Sequence, residues 1–452
     1  MFTTPVSEPR PPFIKPWKVI PKPPDFASAW VVTGDLDGDG EQDFVMGRNV
    51  SQHVTTVVAL MLDGSVLWTW GGAGAGDYQI SYDLPLQVFD IDGCGHPEVL
   101  FSTGRTLRVL RGFDGDELAR WYLPRGLEVA DCITFADFRG FRHPQDIIVK
   151  NRYTKLWSFT NEWDLLWEWP PDGKELGNKP FGMDLKTCHH PEPFDLDGDG
   201  KDEVLAGNVM LDHDGSELWE INADSLSTKG HLDAARVVRT ASDPADVRML
   251  LTYCGGNVLA MIDGNGQVVW EHADGKHYES IDVGPISPDG KLGLYVDITS
   301  RPYFGNNLGR VYDIDGNLLG EYAMDYSRHH RMVDWDGDGA CEIVLGNAAC
   351  IVDTRGNQVA SLDLGPDGEI IRANPGTSHD WFNKPGDAEP LVSVLPVVNR
   401  GATYPRWDVV LHTRENIHIY TNPSSTGTTT PTKQFTSTSV PRRDDMVNFT
   451  LY

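Results

Sequence analysis

The stretches VMLDHDGSELWEI at 209–221 and LAMIDGNGQVVWEH at 259–272 decide the fold. Each is an apolar strand, a turn on an Asp-Gly or similar pair, and a second strand carrying a Trp. The pattern recurs as ALMLDGSVLWTW at 59–70, VLRGFDGDELARW at 109–121 and LWSFTNEWDLLWEW at 156–169. It continues as VYDIDGNLLGEY at 311–322 and CIVDTRGNQVASL at 350–362, with a less regular eighth copy, DVVLHTRENIHIYTN, at 408–422. The turns centre near residues 63, 114, 162, 214, 263, 315 and 354. A period near 50 residues, with four short strands per unit, is the mark of a propeller blade. Asp-Gly supplies the positive φ that hairpin turns need. A blade cannot cover both of its faces alone, so neighbours stack in a ring.

The expected fold is therefore all-β: a single β-propeller of eight four-stranded blades over 25–422. Seven blades remain if 363–407, rich in Gly, Pro and Asn, builds only loops. The last hairpin and a strand near Ala29–Val32 are expected to close the ring, and the Trp residues to pack between blades. Residues 1–24 read as a proline-rich N-terminal extension, and 423–452 as a tail packed on the propeller.

The 452 residues carry a formal charge of −28, which disfavours nucleic acid and anionic membranes as partners. Cys94, Cys132, Cys188, Cys254, Cys341 and Cys350 show neither a CxxC pair nor zinc-ligand spacing. The N-terminus lacks an apolar core like that of a signal peptide. No apolar run approaches the ~18 residues of a membrane span. A cytoplasmic monomer is expected, or a secreted one if a leader was removed.

A second repeated element is Asp-x-Asp-Gly-Asp-Gly-x-x-Asp/Glu followed by an apolar strand. Ca²⁺ takes about six to eight oxygen ligands. Acids at positions 1, 3 and 5 point inward, position 7 offers a backbone carbonyl, and the acid at position 9 closes the shell. The expected ligands are Asp35, Asp37, Asp39, Glu41 and Asp43, then Asp195, Asp197, Asp199, Lys201 and Glu203. A third set is Asp334, Asp336, Asp338, Ala340 and Glu342. A degenerate copy offers Asp90, Asp92 and Glu98, with Cys94 in the third ligand place. Packed acids repel unless a cation joins them. Recurrence around a ring points to a structural role for calcium.

In this order the elements resemble polysaccharide lyase family 11, the rhamnogalacturonan lyases. The best stretch is 188–237, CHHPEPFDLDGDGKDEVLAGNVMLDHDGSELWEINADSLSTKGHLDAARV. It holds a His-His pair, the acidic loop, a DHDGS hairpin, then a Gly-His and an Asp, as that family does. IIVKNRYTKLWSF at 147–159 is similar to the family's Arg-Gly-Tyr-Tyr-Thr-Arg strand, on Tyr153-Thr154-Lys155, although Lys150-Asn151-Arg152 departs from it. MVDWDGDGACEIV at 332–344 and the ending at 408–422 also match. The likeness spans roughly 30–422.

The resemblance implies calcium and β-elimination at a bond 4 to a uronic acid. That reaction needs the carboxylate neutralised, the C5 proton removed and the leaving oxygen protonated. The implied catalytic residues are His189, His190, Arg152, Tyr153, Lys150 and His231. Lys155, His330, Arg331 and Arg414 are the implied substrate-binding residues. Strand alternation would place Lys150 and Arg152 on one face, and Tyr153 and Lys155 on the other. The expected partner is a uronate-containing polysaccharide or oligosaccharide. Two alternatives stand beside the lyase: a non-catalytic propeller binding carbohydrate or protein, and a glycoside hydrolase. The hydrolase would need two unmetallated carboxylates about 5–10 Å apart.

Overall fold

The computed structural model describes residues 11–78, 85–174, 186–221, 231–254, 257–274, 277–299, 307–324, 330–346, 348–368, 391–397 and 406–422. Within them lie eight sheets, six of them antiparallel with four strands in sequential order from one edge to the other. Blade 1 is Val31–Gly34, Asp43–Val50, His53–Leu60 and Val66–Gly71. Blade 2 is Leu86–Phe89, Glu98–Thr103, Thr106–Arg111 and Glu117–Tyr122. Blade 3 is Cys132–Ala136, Asp146–Lys150, Leu156–Phe159 and Leu165–Trp169. Blade 4 is Thr187–Phe194, Glu203–Gly207, Val209–Leu211 and Glu217–Glu220. Blade 5 is His231–Arg239, Arg248–Cys254, Val258–Ile262 and Val268–His272. Blade 6 is His277–Pro285, Leu292–Thr299, Asn307–Asp313 and Leu318–Met324. Blade 7 is His330–Val333, Glu342–Leu345, Cys350–Val352 and Gln358–Leu362.

Blade 8 departs from the sequence expectation. Its first three strands are Leu391–Val397, Arg406–His412 and Asn416–Tyr420. The eighth repeat is thus a blade's second and third strands, whereas the other seven copies are third and fourth strands. The outermost strand is Lys18–Pro21, antiparallel to Asn416–Tyr420. Ring closure falls to this strand, inside the segment read as an extension, while Val31–Gly34 lies at the inner edge of blade 1. Phe13–Ile14 runs parallel to Gln358–Leu362 and adds a fifth strand to blade 7. The tail from 423 lies outside the described residues.

Packing closes the circle. From blade 1 through blade 8, first strands of consecutive blades touch around the axis. Eight buried apolar clusters occupy the eight junctions. The cluster at the seam joins Ile20, Ile417 and Ile419 of blade 8 to Val31, Phe44 and Leu60 of blade 1. Burying one such side chain contributes about 1.5–3 kcal/mol, so each junction is a substantial hydrophobic contact. The outer-strand Trp residues knit the blades as expected. Trp68, Trp167, Trp219 and Trp270 each donate the indole N–H to a carbonyl in the next blade: Gly112, His213, Gly264 and Ile314. No described helix is long and apolar enough to cross a membrane.

Candidate functional site

Antiparallel blades give the ring two unlike faces. The first-to-second strand links and the Asp-Gly hairpins lie on one. The second-to-third strand turns and the entries into the next blade lie on the other. The acidic loops therefore sit opposite the His, Arg and Tyr candidates.

On the loop face, the acidic segments of blades 1, 4 and 7 share one hydrogen-bond pattern. Asp35 accepts the amides of Gly38 and Gly40, Asp37 that of Asp39, and Asp39 that of Glu41. Asp195, Asp197 and Asp199 repeat this, as do Asp334, Asp336 and Asp338. Both loop glycines take a positive φ, Gly38 at 78° and Gly40 at 86°, which curls the acids inward. One carboxylate oxygen from each of Asp35, Asp37 and Asp39 can lie within 4.8 Å of the others, and the same holds for Asp195, Asp197 and Asp199. Of the closing acids, Asp43, Glu98 and Glu203 are buried and Glu342 is partly buried, all beside these charges. Burial first, then the neighbouring carboxylates, push Asp43 and Glu98 up to about 7 and Glu203 and Glu342 up to about 8. A hard dication fits this all-oxygen donor set and would relieve the repulsion. In blade 2, Asp90, Asp92 and the exposed Cys94 form the corresponding cluster.

The opposite face gathers several candidates. The second strand of blade 3 ends at Lys150, so Arg152 and Tyr153 lie in a turn, not on the strand whose alternation the sequence suggested. Asn151 shapes that turn by accepting the amides of Thr154 and Lys155. Tyr153 Oη stands 3.2 Å from Nε2 of buried His189, the third residue of blade 4. The same nitrogen lies 3.4 Å from Asp233 Oδ1 of blade 5. The Arg152 guanidinium sits 5.2 Å from the centre of the Tyr153 ring. Buried Asp131 receives Arg152 Nη1 at 3.1 Å, Lys150 Nζ at 3.0 Å and Gln52 Nε2 of blade 1 at 2.7 Å. Lys150 is fully buried and also donates to the Arg152 carbonyl, so it braces the turn.

The remaining candidates spread around the ring. His190 is buried, with Nδ1 3.1 Å from the Pro191 carbonyl. His231 opens the first strand of blade 5; its side chain lies outside the described residues. Lys155 turns to Glu168 at 2.7 Å, within blade 3. His330, opening blade 7, meets Ser280 Oγ at 3.0 Å and Asp297 Oδ1 at 3.5 Å, both of blade 6. Arg331 follows it, and its guanidinium reaches the His330 carbonyl at 3.5 Å. Arg414, in the blade 8 turn, lies 5.2 Å from the centre of the Tyr78 ring. The structure thus brings Tyr153, Arg152, Lys150 and His189 together, and places His330 and Arg414 on other blades.

Sequence reading missed Asp131, His277 and Glu279, and gave no role to Asp233, the Asp of the matched run. His277 Nε2 lies 2.9 Å from Glu279 Oε1, and ligand atoms of Asp233, His277 and Glu279 fall within 4.8 Å of one another, all buried. This N/O set could hold a divalent cation close to His189. A signal existed. His-x-acid begins or nearly begins the first strand of blades 4, 5 and 6, as HPE at 190–192, HLD at 231–233 and HYE at 277–279.

Such a ring, with acidic loops on one face and a basic, His-rich cluster on the other, is a β-propeller like that of the family 11 polysaccharide lyases. The sequence likeness is to two proteins of Bacillus subtilis (strain 168). One is the rhamnogalacturonan endolyase YesW, 25% identical over 369 residues, covering 68% of this chain and 55% of that protein. The other is the rhamnogalacturonan exolyase YesX, 23% identical over 391 residues, covering 70% and 61%. The chain spans less than two thirds of either relative's length. A solved rhamnogalacturonan lyase of Bacillus licheniformis superposes with a TM-score of 0.58 at 19% identity, over 91% of this chain and 75% of that one. The biofilm matrix protein Bap1 of V. cholerae superposes at 0.55 with 13% identity, over 92% of both chains, a likeness of fold alone. No family model matches the chain.

Proposed function

We propose that the chain is a polysaccharide lyase that cleaves a uronate-containing, rhamnogalacturonan-like glycan by β-elimination. The observation that carries this reading is the Tyr153 hydroxyl 3.2 Å from His189 Nε2, with Arg152 alongside. Arg152 meets the uronate carboxylate and makes the C5 proton more acidic. His189 holds the phenol proton, and Asp233 stabilises the resulting imidazolium. The Tyr153 phenolate takes the proton from C5, and that electron pair becomes the C4=C5 bond. The C4–O bond breaks, the leaving oxygen takes a proton from water, and the hydroxide so formed takes up the proton held on His189. Calcium bound in the acidic loops would supply positive charge that holds the opposite rim in shape.

The test is ultraviolet absorbance on adding rhamnogalacturonan fragments to the purified protein. A rising signal from the conjugated unsaturated uronate is expected. New reducing ends without that signal would mean hydrolysis. Glycan binding with neither product would leave a binding propeller in place of the lyase.

A further inference from the structure

Five blades tie the link between their first two strands in the same way. The last carboxylate of the link accepts the amide of its second residue. Asp43 accepts from Leu36 at 3.0 Å, Glu98 from Ile91 at 3.0 Å, Glu203 from Leu196 at 2.6 Å and Glu342 from Trp335 at 2.9 Å. In blade 3 the link is 137–146, and Asp146 accepts from Phe138 at 2.9 Å. The first acid, Asp137, again gathers backbone amides, from Phe141 at 2.7 Å and Arg142 at 2.6 Å.

The third position reverses its charge. Blades 1, 2, 4 and 7 have Asp37, Asp92, Asp197 and Asp336 there; blade 3 has Arg139. Its Nε donates to Asp146 Oδ1 at 2.7 Å, and the Asp146 side chain is fully buried. Its Nη2 donates to Asn161 Oδ1 at 3.1 Å. Asn161 in turn donates to the Ile91 carbonyl, at 3.1 Å, within the acidic loop of blade 2.

We propose that Arg139 does in blade 3 what a bound dication does in blades 1, 2, 4 and 7: it brings the positive charge that pins the link. The inference rests on the calcium reading of those four loops. A guanidinium delivered by the chain itself cannot be stripped by a chelator. Blade 3 also carries Arg152 and Tyr153. The turn that presents them is therefore anchored without calcium, while four other blades depend on the ion.

Hydrogen exchange of the full-length protein, resolved by peptide, tests this without reference to activity. Chelation should speed exchange in Asp43–Val50, Glu98–Thr103, Glu203–Gly207 and Glu342–Leu345 by about tenfold or more, and leave Asp146–Lys150 within about twofold. R139M should speed Asp146–Lys150 by a similar factor with calcium present, because it leaves a buried carboxylate unpaired. R139K should recover part of the protection. Equal deprotection of blade 3 and the four acidic-loop blades on chelation would overturn the assignment while sparing the calcium reading. So would unchanged exchange at Asp146–Lys150 in R139M. Should R139M fail to fold, the chelation pattern and R139K decide. No response to chelation in any blade would defeat the calcium reading and this inference with it.

Discussion

Lys22 Nζ lies 3.0 Å from His412 Nδ1, across the seam where the N-terminal strand meets blade 8. It also donates to the Ser28 carbonyl at 2.8 Å and sits 5.7 Å from the centre of the Tyr78 ring. A lysine this deep is costly to charge. Burial lowers its pKa to about 7, against the opposing pull of Glu415 and Asp367. Between pH 7 and the ordinary lysine range, the unfolded chain binds a proton that the folded chain lacks. Stability should rise with pH across that window, and below about 7 the full penalty stands. Lys22→Met should flatten the rise, as read from urea midpoints between pH 6.5 and 9.5. Equal slopes in the two proteins would contradict it.

Tyr153→Phe removes the hydroxyl that faces His189 and keeps the ring. Turnover should fall by about 10²–10⁴-fold, the usual worth of positioned proton transfer, with the melting temperature unchanged. His189→Ala should fall to a similar level. The double variant should be no worse than either single one, because the two residues act as a unit. Multiplicative losses in single-turnover assays would separate their roles.

The ring was legible because seven of the eight blades repeat one outer hairpin, whose period survives wide variation in side chains. Two features were not. Lys18–Pro21 is four residues long in a proline-rich context, and only its partner Asn416–Tyr420 makes it a strand. The eighth repeat looked like the other hairpins but is one strand out of phase. At the candidate site, His189 and Tyr153 stood in runs with their own sequence signals. Asp233 and His277 are 44 residues apart in the chain, and nothing local reveals that blades 5 and 6 bring them together. Asp131 likewise looks like a strand-edge acid until Lys150, Arg152 and Gln52 converge on it.

Asp197→Ala deletes an acid from the blade 4 loop. With calcium present the melting temperature should fall by about 2–4 °C, because losing about 3–4 kcal/mol of linked ion binding costs roughly 1 °C per kcal/mol in a chain of this length. In excess chelator the variant should melt with, or slightly above, the wild type, because removing a carboxylate then relieves repulsion. A calorimetric deficit of the same size under both conditions would mean that Asp197 acts through its hydrogen bonds alone.

Gly266→Ala tests how the blades interlock. Gly266 takes a φ of +73°, and an added Cβ would lie 2.6 Å from Trp219 Cε3, a carbon of a ring held by its bond to the Gly264 carbonyl. The same juxtaposition of outer-strand ring and turn glycine occurs at Gly115 under Trp68, Gly215 under Trp167 and Gly316 under Trp270. Blade 3 breaks the rule. Trp163 itself occupies the left-handed turn position at φ 71°, and Trp121 stacks on it at 5.1 Å. Where the ring lies as close as Trp219 does, glycine supplies the space beneath it as well as the backbone angle. Gly266→Ala should destabilise by about 2–4 kcal/mol, joining backbone strain to overpacking. In the background Trp219→Ala the ring is gone, and the cost of the second substitution should drop to the strain alone, about 1 kcal/mol. Denaturation of the four proteins in this cycle measures the difference. Additive losses would show that Trp219 moves aside freely and that the close approach contributes nothing to holding blades 4 and 5 together.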